Sequence, residues 1–271
     1  TSTWSATTTL GTTVSPQNDA PILTGTPSNP ALTENATTAS GLSINPAILL
    51  NSGVNLTDID LTTTSALSTT TFGSGTISVS FTDAYVPGDV LFVDTTTLTG
   101  AALPTGVTVS GGTANALTIT LDSDTTLAEV KDILEGISYQ STSDNPTVND
   151  TDNNRAYRIV VSDGNNDQGV PDAGGPTALS SANVDGVLTI TPTNDPPTAV
   201  NDTNSIAENT ASVSGNVKTG VGGVGNNIDA DPDNPNSELR IVGLRSGTEG
   251  AGGAMTGITA GTTSSNGTSI V

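Results

Sequence analysis

The chain repeats itself. Thr13-Val14-Ser15-Pro16-Gln17-Asn18-Asp19-Ala20-Pro21 returns as Thr189-Ile190-Thr191-Pro192-Thr193-Asn194-Asp195-Pro196-Pro197, an offset of 176 residues. The likeness continues in order. Glu34-Asn35 follows the first copy and Glu208-Asn209 the second; then come Asp58-Ile59-Asp60 and Asp229-Ala230-Asp231. From the linker Asp to the Glu is 15 residues in one copy and 13 in the other, and from the Glu to the Asp-x-Asp is 24 and 21. Three matches in one order at nearly one spacing mark repeated supersecondary units along the chain. They divide it into residues 1–18, the final strand of a preceding repeat; 19–194, one complete repeat; and 195–271, the start of a following, incomplete repeat. Such a chain is a piece of something longer, or one whose end pieces pair with neighbouring subunits by strand addition.

Between the two linkers the pattern is β. Thr76-Ile77-Ser78-Val79-Ser80-Phe81 alternates as a half-buried strand does. Residues 89–93, 116–121, 157–161 and 187–190 read the same way, and Gly, Pro, Asn and Asp clusters separate them. Threonine, at 49 residues, suits exposed strand positions because it is β-branched yet polar. One segment departs. Residues 124–136 read as a short helix, with Leu127, Val130, Leu134 and Ile137 on one stripe. Asp124 is expected to cap its first turn and Gly136 to lie near its end, making a lid on a sandwich edge.

Composition removes several functions. Six basic residues face 27 acidic ones, a formal charge of -21, so no clustered Lys or Arg is available for nucleic acid. Anionic membrane surfaces are disfavoured for the same reason, and no run of about 20 apolar residues spans a bilayer. Residues 1–10 carry neither a positive region nor an apolar stretch, so no signal peptide is visible. With no histidine there is no Ser-His-Asp triad; with no cysteine there is no thiol nucleophile, disulfide or thiolate metal site. A carboxylate pair could cleave glycosides, but three Tyr, three Phe and one Trp supply a sugar platform poorly. The chain is not expected to be an enzyme. So many carboxylates serve either solubility or the binding of hard cations.

The series Asn18-Asp19-Ala20-Pro21, Thr33-Glu34-Asn35, Asp58-Ile59-Asp60 resembles the cadherin-like repeats of giant bacterial adhesins, many of them exported by type I secretion with RTX calcium repeats elsewhere. The segment from Ser123 to Tyr139, running on to Asp144-Asn145-Pro146, resembles that family's helix and following strand, and Arg158-Ile159-Val160-Val161-Ser162-Asp163-Gly164-Asn165 its later strand end. The next region is similar to the VCBS type of adhesin repeat: Asn201-Asp202-Thr203, Ala207-Glu208-Asn209, Val213 to Val217, Asp229 to Asp233 and a strand from Leu239 to Leu244. Lys218-Thr219 stands where such repeats often carry Asn-Asp. The implied fold is all-β: tandem cadherin-like or Ig-like β-sandwich domains, the complete one with a single short helix.

The resemblance also implies calcium. In the cadherin-like arrangement an inter-domain site gathers a Glu, an Asp-x-Asp and the linker Asn-Asp, all of them oxygen donors that calcium favours. It assigns Asn18, Asp19, Glu34, Asp58 and Asp60 to a first junction. Asn194, Asp195, Glu208, Asp229, Asp231 and Asp233 go to a second, with Asp163 joining them as the end of a late strand. The same residues also read as turn formers and solvating charge, and calcium is the favoured reading of the two. Gly222 to Asp229 resembles a single copy of the RTX calcium nonapeptide, with Asn227 where that motif has Asp; a flexible loop is the plainer reading.

Three functions stand open. One is a structural repeat of an extracellular adhesin or filament, rigidified by calcium, whose partners are neighbouring repeats or subunits. The second is a module that grips surface glycans or other cells. The third is a glycan-active enzyme. Repetition, few aromatics and the missing catalytic residues favour the first.

Overall fold

Alternation in sequence becomes the two faces of a sheet. The structure, a computed structural model, describes residues 18–35, 45–59, 61, 71–72, 74–164, 178–211, 213–220, 228–235, 237–241, 243–244 and 256–257. The expected strand in residues 1–18, the ligand Asp60 and most of the glycine-rich stretch 220–227 therefore lie outside the described residues. The chain forms two compact units, Thr1–Thr193 and Asn194–Val271.

Unit 1 is mostly β. Its strands are β1 (Ile22–Thr24), β2 (Ala31–Thr33), β3 (Ile48–Leu49), β4 (Asn55–Thr57), β5 (Thr76–Phe81), β6 (Asp89–Val93), β7 (Thr108–Ser110), β8 (Leu117–Thr120), β9 (Ile137–Ser141), β10 (Asn154–Ser162) and β11 (Val184–Thr191). One sheet has the order β2-β11-β10-β5-β8-β7; β3-β9-β6 form another and β1-β4 a pair. In β5, Ile77 and Val79 point inward while Thr76, Ser78 and Ser80 stay at the surface. Tyr157, Ile159 and Val161 of β10 and Leu188 and Ile190 of β11 repeat the pattern. These side chains meet Leu91, Tyr139, Leu23 and Leu56 from the smaller sheets in one apolar cluster. β11 shows why one inward position is glycine. Gly186 pairs with Tyr157, and a Cβ there would lie 2.5 Å from the tyrosine ring. The space lets the Tyr157 hydroxyl reach the Leu50 carbonyl at 2.7 Å.

The one α-helix among the described residues, α1 (Leu127–Glu135), is capped by Thr126 rather than Asp124. Thr126 Oγ1 accepts the Glu129 N–H, and the Glu129 carboxylate accepts the Thr126 N–H at 2.7 Å, a reciprocal capping box. Asp124 is spent earlier, in a turn closed by the Asp122 carboxylate accepting its N–H at 3.2 Å. Val130, Ile133 and Leu134 are buried. Ile137, expected on the helical stripe, opens β9 instead. The helix packs on β4, and Asn51 Nδ2 donates to the Leu134 carbonyl at 3.0 Å.

A polar cluster sits inside this apolar body. Arg155 and Asp89 are both 0% exposed, with Nε to Oδ2 at 2.6 Å. The guanidinium also donates to the carbonyls of Asp152 (3.0 Å), Asn154 (2.9 Å) and Pro146. Asp89 Oδ1 accepts the Tyr139 hydroxyl at 2.6 Å. Burial, then the Asp89 charge, pushes the Tyr139 phenol far above its ordinary range. A buried charge needs this much company, since an unpaired one costs several kcal/mol.

In unit 2 the described residues are mostly exposed. Thr198 and Ala230 form an antiparallel bridge, and β12 (Gly243–Leu244) pairs with β13 (Thr256–Gly257). The strand expected from Leu239 to Leu244 is thus only its last two residues among those described. Among the described residues no helix is long and apolar enough to cross a membrane.

Candidate metal centre

Strand direction decides which oxygen donors of unit 1 share an end. β10 runs antiparallel to β11, so Asp163, one residue past β10, lies at the end where β11 begins. Asn18 is there too: its Nδ2 donates to Asp163 Oδ2 at 3.1 Å. Asp163 Oδ1 accepts the Leu179 N–H at 2.9 Å, and the residue is 1% exposed. Asp58 follows β4, whose Thr57 pairs with Ile22 at the start of β1. It is therefore opposite Pro21, where the chain enters the sandwich, and is 2% exposed. Asp19 is exposed. This is the leading end of unit 1.

Glu34 lies elsewhere. β2 runs parallel to β11, so the residue after β2 sits where β11 finishes. Glu34 Oε2 accepts the Thr193 N–H at 3.1 Å, and its carbonyl accepts the Thr193 hydroxyl at 2.7 Å. The nine residues of β10, at about 3.3 Å each, put roughly 30 Å between this trailing end and the leading one. The grouping read from sequence is therefore rearranged. Glu34 stands apart from Asn18 and Asp58, and Asp163 joins Asn18 instead of the later set. Antiparallel and parallel pairing, which spacing does not encode, are the cause.

In unit 2 the linker and the acidic loop are brought together. The Asp195 N–H donates to Asp233 Oδ2, and Asp195 is 0% exposed. Asn194 Nδ2 donates to the Asp195 carbonyl at 3.1 Å. Asp231 Oδ1 accepts the N–H groups of Asp233 and Asn234 at 3.0 and 3.1 Å. Asp229 Oδ1 accepts the Val200 N–H at 2.8 Å. Glu208 is exposed, in a turn where Asn209 has φ 65° and the Thr210 N–H donates to the Ala207 carbonyl at 3.1 Å. No bond among the described residues ties it to the Asp229–Asp233 loop.

The donor chemistry at the leading end fits a hard cation. All the candidates offer oxygen, as calcium prefers. Asn18 Oδ1 is shielded from water and has no hydrogen-bond partner among the described residues. An amide oxygen in that state, beside the Asp163 carboxylate, can ligate a cation without adding negative charge. The sequence named Asn18 among the donors; the shielding of its amide oxygen and its place beside Asp163 had no sequence signal. The Arg155–Asp89–Tyr139 cluster was equally silent, its members lying far apart in the chain.

Comparison of the chain with protein-family models, with curated proteins and with solved structures gave no match.

Proposed function

We propose that the chain is a structural repeat segment of an extracellular bacterial adhesin or filament, built of tandem cadherin-like sandwiches and stiffened by calcium where the chain passes between repeats. One observation carries the reading. Unit 1 takes the chain in at one end of its sandwich and releases it at the other, with solvent-shielded oxygen donors at both passages: Asn18, Asp58 and Asp163 at the leading end, Glu34 at the trailing end. A body threaded end to end suits a series. Neighbouring repeats or subunits are its partners, the charge of -21 keeps the assembly soluble, and the chain catalyses nothing.

The test is chelation. Extracellular modules bind calcium with dissociation constants of about 10⁻⁴ to 10⁻³ M, and roughly 100-fold excess over that constant adds about 2.7 kcal/mol per site. Chelator therefore lowers the melting temperature and changes the solution scattering, and Asp163→Ala reproduces part of the loss. Melting and scattering indifferent to chelator would sink the calcium reading. Turnover of polysaccharide or peptide by the pure protein, lost on changing one carboxylate, would sink the non-catalytic one.

A second reading, a glycan-binding module, draws on one groove of about 480 Å³ between α1 and residues 99–105. Leu103, Pro104 and Ala128 give it an apolar side, and Glu129 and Asp132 offer acceptors for sugar hydroxyls. A glycan array on the purified chain separates the two.

A further inference from the structure

The strand order of unit 1 governs how it meets a pull along the chain. β11, its last strand, lies between β2 and β10. Among the described strands of unit 1, β2–β11 is the parallel pairing, and the other pairings are antiparallel. Tension on the two passages draws β2 toward the leading end and β11 toward the trailing end. Two parallel neighbours pulled in opposite senses slide along their common axis, so the bonds between them are strained together rather than one after another.

Those bonds extend beyond the ladder Ala31–Thr189, Leu32–Ile190, Thr33–Thr191. Ahead of it, Asn29 Oδ1 accepts the Val187 N–H at 3.1 Å, and the Pro30 carbonyl accepts the Thr189 N–H at 3.0 Å. Asn29 has φ 44°, a left-handed conformation that asparagine tolerates better than most residues. Behind the ladder, the Glu34 N–H donates to the Thr191 carbonyl at 3.0 Å, and Thr193 makes its two bonds to Glu34. Leu32 and Ile190, neighbours in register, are 2% and 1% exposed and key the pair into the core. By contrast β1 precedes this region with three register pairs to β4.

We propose that residues 29–34 and 187–193 form a shear clamp, and that unit 1 carries tension along the chain through it. The proposal rests on the structural-segment reading for the source of the load, and on unit 1 alone for the clamp.

Single-molecule force spectroscopy tests it on the full chain set between reference domains. In one geometry the pull acts through the two chain ends. In the other it acts between a handle at Asn35→Cys and the C-terminal end, which peels β11 from β2 starting at the trailing end. At one pulling speed the end-to-end geometry needs about twofold or more force to unfold unit 1, because forced unfolding reports the barrier in the loaded direction. The double variant Asn29→Ala, Thr193→Val lowers the end-to-end force and leaves the peeling force nearly unchanged. Equal forces in both geometries, or an end-to-end force unmoved by the double variant, overturn the clamp. Both experiments are run in calcium and in chelator. A directional difference that persists in chelator stands whatever becomes of the calcium reading. One that disappears there assigns the tension to bound cations and overturns the clamp while leaving that reading intact.

Discussion

Unit 1 and the described part of unit 2 hold their chains by different means. Unit 1 buries Ile77, Val79, Leu117, Ile119, Ile159 and Leu188 to 1% exposure or less. In unit 2, Val200, Ile206, Val213, Val217, Ile228 and Ile241 remain 38–56% exposed. Order there comes from side chains gripping backbone: Asp233 on Asp195, Asp229 on Val200, Asp231 on Asn234, and Lys218 Nζ on the Leu239 carbonyl at 2.9 Å. Apolar burial is cooperative and indifferent to ions. A hydrogen bond contributes about 1 kcal/mol net and depends on local charge. The two units should therefore answer to different perturbations.

The largest effect belongs to the core of unit 1. Asp89→Ala leaves Arg155 buried without its carboxylate and costs about 3–5 kcal/mol. Calorimetry should show one transition falling sharply while a second stays in place; equal shifts in both would break the comparison. Calcium should act at the acidic loops of both units instead. At roughly 100-fold excess over its dissociation constant, amide exchange beside Asn18, Asp58 and Asp163 in unit 1 and across 195–200 and 229–234 in unit 2 slows by about 100-fold, while the middle of β5 slows least. Slowing of the middle of β5 by as much as these loops would show that the cation is not selective.

Alkali sharpens the contrast further. All three tyrosines lie in unit 1. Burial holds the Tyr157 phenol up at about 12, against an ordinary 10.0, and Tyr139 is raised more strongly. A raised folded value favours the native state below the unfolded value and loses that advantage as pH climbs through the folded one. Unit 1 should weaken from about pH 10 upward, and Tyr157→Phe should remove part of the slope. The smallest effect is on the surface. Arg158 and Asp185 are joined by bonds of 2.7 and 2.9 Å, and the hydrogen bond from Arg158 holds the Asp185 carboxyl below its ordinary range. A lowered value stabilises above the unfolded one and fades as pH falls through the folded one. Arg158→Ala should give the least shift in melting, and salt should erase it.

The legible parts of unit 1 are those that local pattern controls. β5 and β6 fall where alternation put them, because the inward Ile77, Val79 and Leu91 are apolar and the turns are marked, although β6 also turns Asp89 inward. β10 runs longer than its apolar run, since Arg155 occupies an inward position that hydrophobicity would assign to solvent. The helix was legible, but its cap was not: Asp124 and Thr126 are both good caps by type, and only the reach of Glu129 separates them. The ends of the sandwich were legible in residue type alone. Whether Glu34 or Asp163 stands beside Asn18 depends on pairings across more than 100 residues, which spacing along the chain cannot express.

The place of β11 has a consequence for folding speed. The unit's last strand is an interior one, so the six-stranded sheet cannot finish until residue 191 has arrived. Until then β10 shows an unpaired edge, and β2 lacks its neighbour in that sheet. Joining Ala31 to Thr189 closes a loop of more than 150 residues, and pairings so remote along the chain fold slowly, in milliseconds to seconds for β-rich domains. A half-made unit is thus a sticky one for as long as that search lasts, with an open strand edge able to capture another chain.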